Sequence, residues 1–592
     1  MLKIFKHLRK KDWLLVTLGV AFIALSVWLE LRIPGYMREI TMLVQAPGTE
    51  VSEIWIQGLW MLGTAFMAMI TTVIVGYLSG RVAAGFGRDL RVKVFGKVMS
   101  FGMAEVNGFS VPSLITRGTN DISMVEQIIT IGFMTLVRSP IMAVWATTRV
   151  FDQGLEWAIA TMVSVGVLLV TIVILIIFAL PKFKIIPKLT DRLNLVAREH
   201  LSGIRVVKAY NAKAHEAEKF EKANHELMKT NRFAERMMAS LWPVVGVVMQ
   251  ALPLAIYLIG AYLINNAIGE FDLEESGALF ASMMVFAQYA IQVVMSFLMM
   301  SFMLVFLPQA IIAARRINEV LEKEETLTYP ETSQSPTNTY TGVAVEFRGV
   351  NFKYPEADDY VLEDINFTIK DGETAAFIGA TGSGKSTVLK LITRAYDRTS
   401  GEIAIAGKDI KVYTEKELTD KIGYTLQKAT LLSGSIASNV AFGKKDATAH
   451  LSDIKEATDL AQAEEFISKL EQTYESEITQ GATNVSGGQR QRLSIARTLF
   501  RKSDILIFDD SFSALDYKTD RKLREALKKN RRDVTKLIVA QRVSTIMDAD
   551  KIIVLDEGRV VGVGTHQALL ENCNVYYEIA SSQLSKEELA NG

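Results

Sequence analysis

Six apolar stretches fill the first half of the chain, near residues 13–33, 54–79, 128–150, 157–180, 241–265 and 277–307. Each is close to the roughly 20 residues that cross a bilayer as a helix. A single stretch of this kind fits a buried core helix, but six in one half predict an all-α transmembrane domain. Two intervals between them, residues 80–127 and 181–240, keep a helical period in a more polar composition and predict helices that extend into the cytoplasm, with tips near residues 103–110 and 211–219. Past residue 340 the pattern changes. VAVEFRGVNFKY alternates as a half-buried strand does, whereas TAAFI (374–378) and ILIFD (505–509) are short continuous apolar runs of the kind buried in a parallel sheet. The chain thus divides into a membrane domain over residues 1–325, a Glu-, Thr-, Ser- and Pro-containing linker over 326–340, and an α/β domain over 341–592.

Charge orients the membrane domain. Lys3, Lys6, Arg9, Lys10 and Lys11 precede the first stretch, Arg81, Arg88, Arg91, Lys93 and Lys97 follow the second, and residues 182–236 are dense in Lys and Arg. Basic loops stay inside, so both termini and the α/β domain are expected in the cytoplasm of a cell-membrane protein. The opposite loops are poor in Lys and Arg apart from Arg38 and Arg149, and the last carries Glu270, Asp272, Glu274 and Glu275. At 592 residues, 49% hydrophobic and zero formal net charge, the chain is too apolar for an ordinary soluble enzyme. The first stretch is long enough to span and is followed by no small-residue cleavage site, which argues against a cleavable leader. No basic patch interleaved with aromatics points to nucleic acid, and the single cysteine, Cys573, offers neither a disulfide within the chain nor a metal cluster.

The most specific chemistry lies at GATGSGKST, residues 379–387, between a strand and a helix. Gly379, Gly382 and Gly384 let the backbone of Gly379, Thr381, Gly382, Ser383, Gly384 and Thr387 curl its N–H groups inward, and the helix N-terminus adds its positive end. Lys385 supplies a point charge to the outer phosphates and the Ser386 hydroxyl a Mg²⁺ ligand. The domain therefore reads as a P-loop ATPase with ATP and Mg²⁺ as cofactors. Asp509 and Asp510 close the 505–509 run at the edge of the sheet where ligands collect. There Asp509 fits a Mg²⁺ ligand and Asp510 the seat of a water-activating base, although a pair of aspartates after a strand can equally be a solvated helix cap.

NVSGGQRQRLSIARTL (484–499) weighs the pair toward function, because VSGGQ is the signature of ATP-binding cassette transporters and the chain resembles that family over nearly its whole length. The resemblance implies that Ser486, Gly487, Gly488 and Gln489 touch the γ-phosphate of ATP held by a partner domain. It also implies that Tyr354 in FKYP stacks on adenine, that Gln427 in YTLQ senses Mg²⁺ and the membrane domain, and that Asp516 in SALD belongs to the D-loop. Two positions depart from the family's pattern: Asp510 stands where a glutamate is expected and Gln541, in VAQRVST, where a histidine should face the terminal phosphate. Shortening Glu to Asp withdraws the carboxylate by about 1.5 Å from water that a base must reach within about 2.6–3.2 Å. Glutamine keeps a donor but cannot become cationic. With its own site weakened and its signature intact, the chain resembles the degenerate subunit of heterodimeric bacterial multidrug exporters. The implied partner is a second, non-identical half-transporter that restores one competent site.

Cargo is less legible. The last stretch carries Met283, Met284, Met295, Met299, Met300 and Met303, Phe286, Phe297, Phe302 and Phe306, and Gln288 and Gln292, a set that can line a cavity for amphipathic molecules or pack against lipid and core. Arg138 in the third stretch either lines an inward cavity or snorkels to the cytoplasmic surface. Drugs are the first expectation for cargo, lipids or peptides the alternative, and a purely gating ATP-holding subunit the reading from another class.

Overall fold

The computed structural model describes residues 3–46, 48–151, 155–267, 273–332, 342–355, 357–443, 450–585 and 589. Glu270, Asp272 and most of the expected linker, 333–340, lie outside the described residues, as do the side chains of Glu274, Glu275 and Phe306. The chain forms two compact units: residues Met1–Val98 with Pro112–Lys323, and Met99–Val111 with Glu324–Gly592.

The first unit is helical. Six helices among the described residues are long and apolar enough to cross a membrane: Lys10–Gln45, Val51–Met99, Val111–Phe151, Leu155–Ser202, Lys213–Asn265 and Gly277–Leu321. Each predicted stretch falls inside one of them, and the helices overrun the apolar cores because their polar continuations keep the same period. Ile23, Val27, Val75, Leu252, Ile256 and Phe286 share one buried cluster, with the rings of Trp157 and Phe286 5.2 Å apart. Small residues let these helices approach: a Cβ on Gly19 would lie 2.5 Å from Phe133, and one on Gly260 2.3 Å from the Met283 sulfur. The sulfur and aromatic side chains of the last helix divide between surfaces. Met283, Phe286 and Met303 are buried, Met284, Met299 and Gln288 are exposed, and the half-buried Gln292 has an Oε1 without a hydrogen-bond partner among the described residues.

Arg138 is paired with a carboxylate on a neighbouring helix. Its Nη2 donates to both oxygens of Glu30 at 2.6 Å, joining the third helix to the first. A lone guanidinium in lipid is costly, and a carboxylate on a neighbouring helix offsets that cost; the five residues just before it, Phe133–Val137, form a π-helical turn. Of the two expected helix tips, Met103–Phe109 is a short helix within the second unit, where Asn107 Nδ2 donates to the Tyr396 hydroxyl at 3.0 Å and Glu105 Oε1 accepts from Thr326 N at 2.8 Å. The other lies in the first unit at the turn between helices Ile204–Ala209 and Lys213–Ala239, with Asn211 at φ 51° and Tyr210 82% exposed.

The second unit holds the strands. Among the described residues they are, in chain order, β1 (Val343–Phe352), β2 (Leu362–Lys370), β3 (Thr374–Ile378), β4 (Ser400–Ile405), β5 (Lys408–Asp409), β6 (Ile422–Thr425), β7 (Gly434–Ser435), β8 (Glu477–Ile478), β9 (Ile505–Asp509), β10 (Thr535–Val539), β11 (Lys551–Asp556) and β12 (Arg559–Gly564). One sheet runs β12-β11-β3-β10-β9-β6 and is parallel except for β12, while an antiparallel sheet runs β2-β1-β4-β5. All five residues of β9 and of β10 are buried, so the apolar runs 505–508 and 537–539 reflect cover on both faces. The two-residue period sorts them: Leu506, Phe508 and Ile538 join one core, Ile505, Ile507, Leu537 and Val539 the other. Each such side chain contributes roughly 1.5–3 kcal/mol by leaving water.

Candidate ATP site at the carboxyl edge of the parallel sheet

Adjacent strands β3, β10, β9 and β6 end on the same edge, and the residue types singled out in the sequence follow their last residues. The glycine loop follows β3, Gln541 follows β10, Asp509 closes β9 with Asp510 next, and Gln427 follows β6. The strand order thus assembles what lies more than 160 positions apart in the chain, from Gly379 to Gln541.

The loop itself is made possible by glycine at two points. Gly379 has φ 153° and approaches β11 so closely that a Cβ would lie 1.9 Å from the Leu555 carbonyl oxygen; Gly384, at φ 99°, caps the helix Lys385–Ile392. The Lys385 ammonium donates to the carbonyls of Gly379 and Ala380 at 2.8 and 2.7 Å, folding back over the loop it follows. Burial pulls its pKa below the ordinary lysine value, against the opposing charges of Asp510 and Asp509. Around it opens a cleft of about 480 Å³ lined by Gly379 to Gly382, Gly384 to Thr387, Gln427 and Gln541, with Ile579, Ser582 and Gln583 from the C-terminal helix.

Ser386 Oγ donates to Asp509 Oδ1 at 3.0 Å, so the two expected metal ligands already touch. Asp509 is buried, and burial pushes its pKa up while the hydroxyls of Ser386 and Tyr424 pull it down. Tyr424 donates to Asp509 Oδ2 at 3.2 Å, and burial raises its own pKa well above the usual phenol range. Asp510 has φ 47°, a left-handed conformation that few residues other than glycine adopt, held by its N–H on the Val539 carbonyl at 3.0 Å. Its Oδ2 accepts from Gln541 Nε2 at 2.9 Å and from Gln427 Nε2 at 3.4 Å.

Other sequence-predicted residues border the loop or lie away from the cleft. Tyr354 packs edge-on against Phe352 and Tyr396, its hydroxyl 3.0 Å from Thr387 Oγ1 and the Lys390 ammonium 5.5 Å from its ring. Ser383 is buried behind the loop, its Oγ 3.3 Å from the Lys385 ammonium. Ser486 caps the helix Gly487–Phe500 reciprocally with Gln489: Gln489 N donates to Ser486 Oγ at 3.3 Å, and Ser486 N to Gln489 Oε1 at 2.9 Å. Ser486 and Gly487 are exposed, and Gly488 lies beside the Ala514 carbonyl. Asp516 is likewise a cap, its Oδ1 accepting from Thr519 N at 3.0 Å. None of Ser486, Gly487, Gly488, Gln489 and Asp516 is among the residues lining the glycine-loop cleft. Three residues escaped the sequence reading. Tyr424 sits inside the quoted YTLQ, and Glu30, inside an apolar stretch, could have been paired with Arg138 from charge alone. Gln583 carries no motif signal.

Residues 14–289 match the family described as ABC transporter transmembrane region, and residues 362–513 that described as ABC transporter. An uncharacterized ABC transporter ATP-binding protein of Mycobacterium tuberculosis is 37% identical over 89% of this chain and 88% of its own length. YfiB of Bacillus subtilis, described in the same words, is 35% identical over 91% of each. An ATP-dependent lipid A-core flippase of Alkalilimnicola ehrlichii is 29% identical over 92% of this chain and 90% of its own. Among solved structures, a bacterial Atm1-family ABC exporter with ATP bound shares the fold at TM-score 0.77 and 22% identity, covering 97% of this chain and 99% of that one. The ATPase domain binds ATP, lies in the cytoplasm, and couples ATP hydrolysis to transport. With six helices preceding that domain, the chain belongs to the ABC transporters as a multi-pass half-transporter.

Proposed function

We propose that this chain is the weakly hydrolysing half of a heterodimeric exporter, holding ATP at its own glycine loop and lending its signature helix to the competent site of an unlike partner. The observation that carries this reading is the engagement of Asp510: its Oδ2 accepts from Gln541 and Gln427, so the oxygen nearest those amides is not free to take a proton from water. Mg²⁺ would be held by Ser386 and Asp509, hard oxygen donors already 3.0 Å apart. That ion would neutralise charge between the outer phosphates; the chain's own part is to place them against Lys385 and the loop amides. The capped, exposed N-terminus of the 14-residue helix Gly487–Phe500 supports a role toward nucleotide held elsewhere.

For cargo we favour an amphipathic small molecule. The likeness to a lipid A-core flippase supports an amphiphile of lipid type beside a drug, and exposed Met284 and Met299 give the last helix pliable surface. The test is turnover by the purified chain against turnover of the chain co-purified with an unlike half-transporter. Little ATP hydrolysis alone, restored in the pair and stimulated by an amphiphile that accumulates in inverted vesicles, is the expected result. Vigorous hydrolysis by the isolated chain would sink the asymmetric reading, and a pair whose turnover no amphiphile alters, with vesicles that accumulate nothing, would favour a gating subunit.

A further inference from the structure

The loop after β10 that carries Gln541 is held by a side chain from the far end of the chain. Gln583, the last residue of the helix Asn574–Gln583, accepts through Oε1 from Val543 N at 2.9 Å and donates through Nε2 to the Gln541 carbonyl at 2.9 Å. One amide thus closes both backbone groups that flank Arg542. The short helix Val543–Ile546 begins at Arg542 without a side-chain cap of its own, so Gln583 provides the missing acceptor from another element. The C-terminal helix is well seated for this: Tyr576 and Ala580 are fully buried, and the Tyr576 hydroxyl lies 2.6 Å from His566 Nδ1. Its last turn faces the cleft, where Ile579, Ser582 and Gln583 form part of the lining with Lys385, Ser386 and Gln541.

From this we infer that Gln583 is a positioning residue for ATP recognition: by fixing the peptide groups around Gln541 it aims that side chain toward Asp510 and the outer end of the phosphate cradle. The two bonds restrain the Gln541 backbone, and the side chain it carries reaches Asp510 Oδ2 at 2.9 Å. Both hydrogen bonds of the Gln583 amide go to the loop that carries Gln541. Loss of Gln583 therefore weakens the nucleotide with a terminal phosphate more than the nucleotide without one. The inference requires ATP binding at this cleft and is independent of whether the partner is unlike or identical.

The experiment is equilibrium displacement of a fluorescent ADP analogue from the purified full-length chain by ATP and by ADP, each with Mg²⁺. Gln583→Ala is expected to weaken ATP roughly fivefold, the size of one net hydrogen bond, with ADP changed less than twofold. Gln541→Ala should show the same selectivity, and the double variant should be no worse than Gln541→Ala alone. Gln583→Glu, which keeps the acceptor for Val543 N–H, should recover part of the loss, and Ser581→Ala, an exposed neighbour whose hydroxyl donates to the Glu578 carbonyl, should change neither nucleotide. Gln583→Met keeps the side-chain length without either bond and serves where the alanine variant does not fold. Equal weakening of ATP and ADP by Gln583→Ala or Gln583→Met overturns the inference and leaves Gln583 as cleft wall; so does no change in either, or additivity with Gln541→Ala.

Discussion

Gln541 Nε2 donates to Asp510 Oδ2 at 2.9 Å, so the two positions that depart from the family's pattern are partners of each other. A pair that interacts is expected to respond as a pair. Asp510→Glu or Gln541→His alone should raise ATP turnover of the purified chain little, and the double variant by at least a hundredfold, within the roughly 10²–10⁴ attributed to a positioned general base. Additive single-variant gains in a phosphate-release assay would show that the two residues act separately.

Lys385 folds back onto the Gly379 and Ala380 carbonyls, contacts that phosphate oxygens would replace. Lys385→Ala should weaken ATP binding more than tenfold in a nucleotide-displacement assay. Its melting temperature in the absence of nucleotide should change by only a few degrees, because the freed carbonyls border an open cleft and take up water.

The Glu30–Arg138 pair predicts an asymmetry between breaking and replacing it. Glu30→Gln leaves a guanidinium without its carboxylate and should destabilise the membrane unit by roughly 2 kcal/mol, whereas Glu30→Gln combined with Arg138→Met should be milder. Thermal melting in detergent reads the order; a double variant less stable than Glu30→Gln would contradict it.

His566 gives the ATPase domain an acid-sensitive point. Burial lowers its pKa from the ordinary value of 6.5, and its Nε2 has no hydrogen-bond partner among the described residues. The folded domain thus favours neutral imidazole, and the unfolded chain takes up the extra proton. Its contribution is complete above the ordinary value and is lost as pH falls through and below it. Melting temperature followed from about pH 7 to about pH 5 should fall less steeply in His566→Asn than in the parent chain.

Much of this molecule is legible in its sequence because membrane spans and buried parallel strands leave uninterrupted apolar runs. The six stretches fall inside six helices, and TAAFI and ILIFD are β3 and β9. The backbone of the glycine loop was equally visible, since Gly379 and Gly384 occupy conformations that the pattern demands. What escaped is contact between elements remote in the chain. Glu30 and Arg138 are 108 positions apart, and Gln541 and Gln583 are 42 apart with no spacing rule joining them. Tyr354 has a position that its motif indicated, yet its hydrogen bond to Thr387 is set by local packing that no motif encodes, whereas the Ser486–Gln489 cap follows an S-x-x-Q spacing present in the sequence.

The parallel pairing of β10 with β3 and β9 has one more implication. Its alternate residues feed two separate cores, and the residue two beyond its end is Gln541. A slip of that strand by a single residue would exchange the two cores' side chains and offer the nucleotide Ala540 or Arg542 in place of the amide. Misthreading and loss of nucleotide recognition are therefore one event in this domain, and quality control that senses exposed apolar surface would also remove the copies unable to handle ATP.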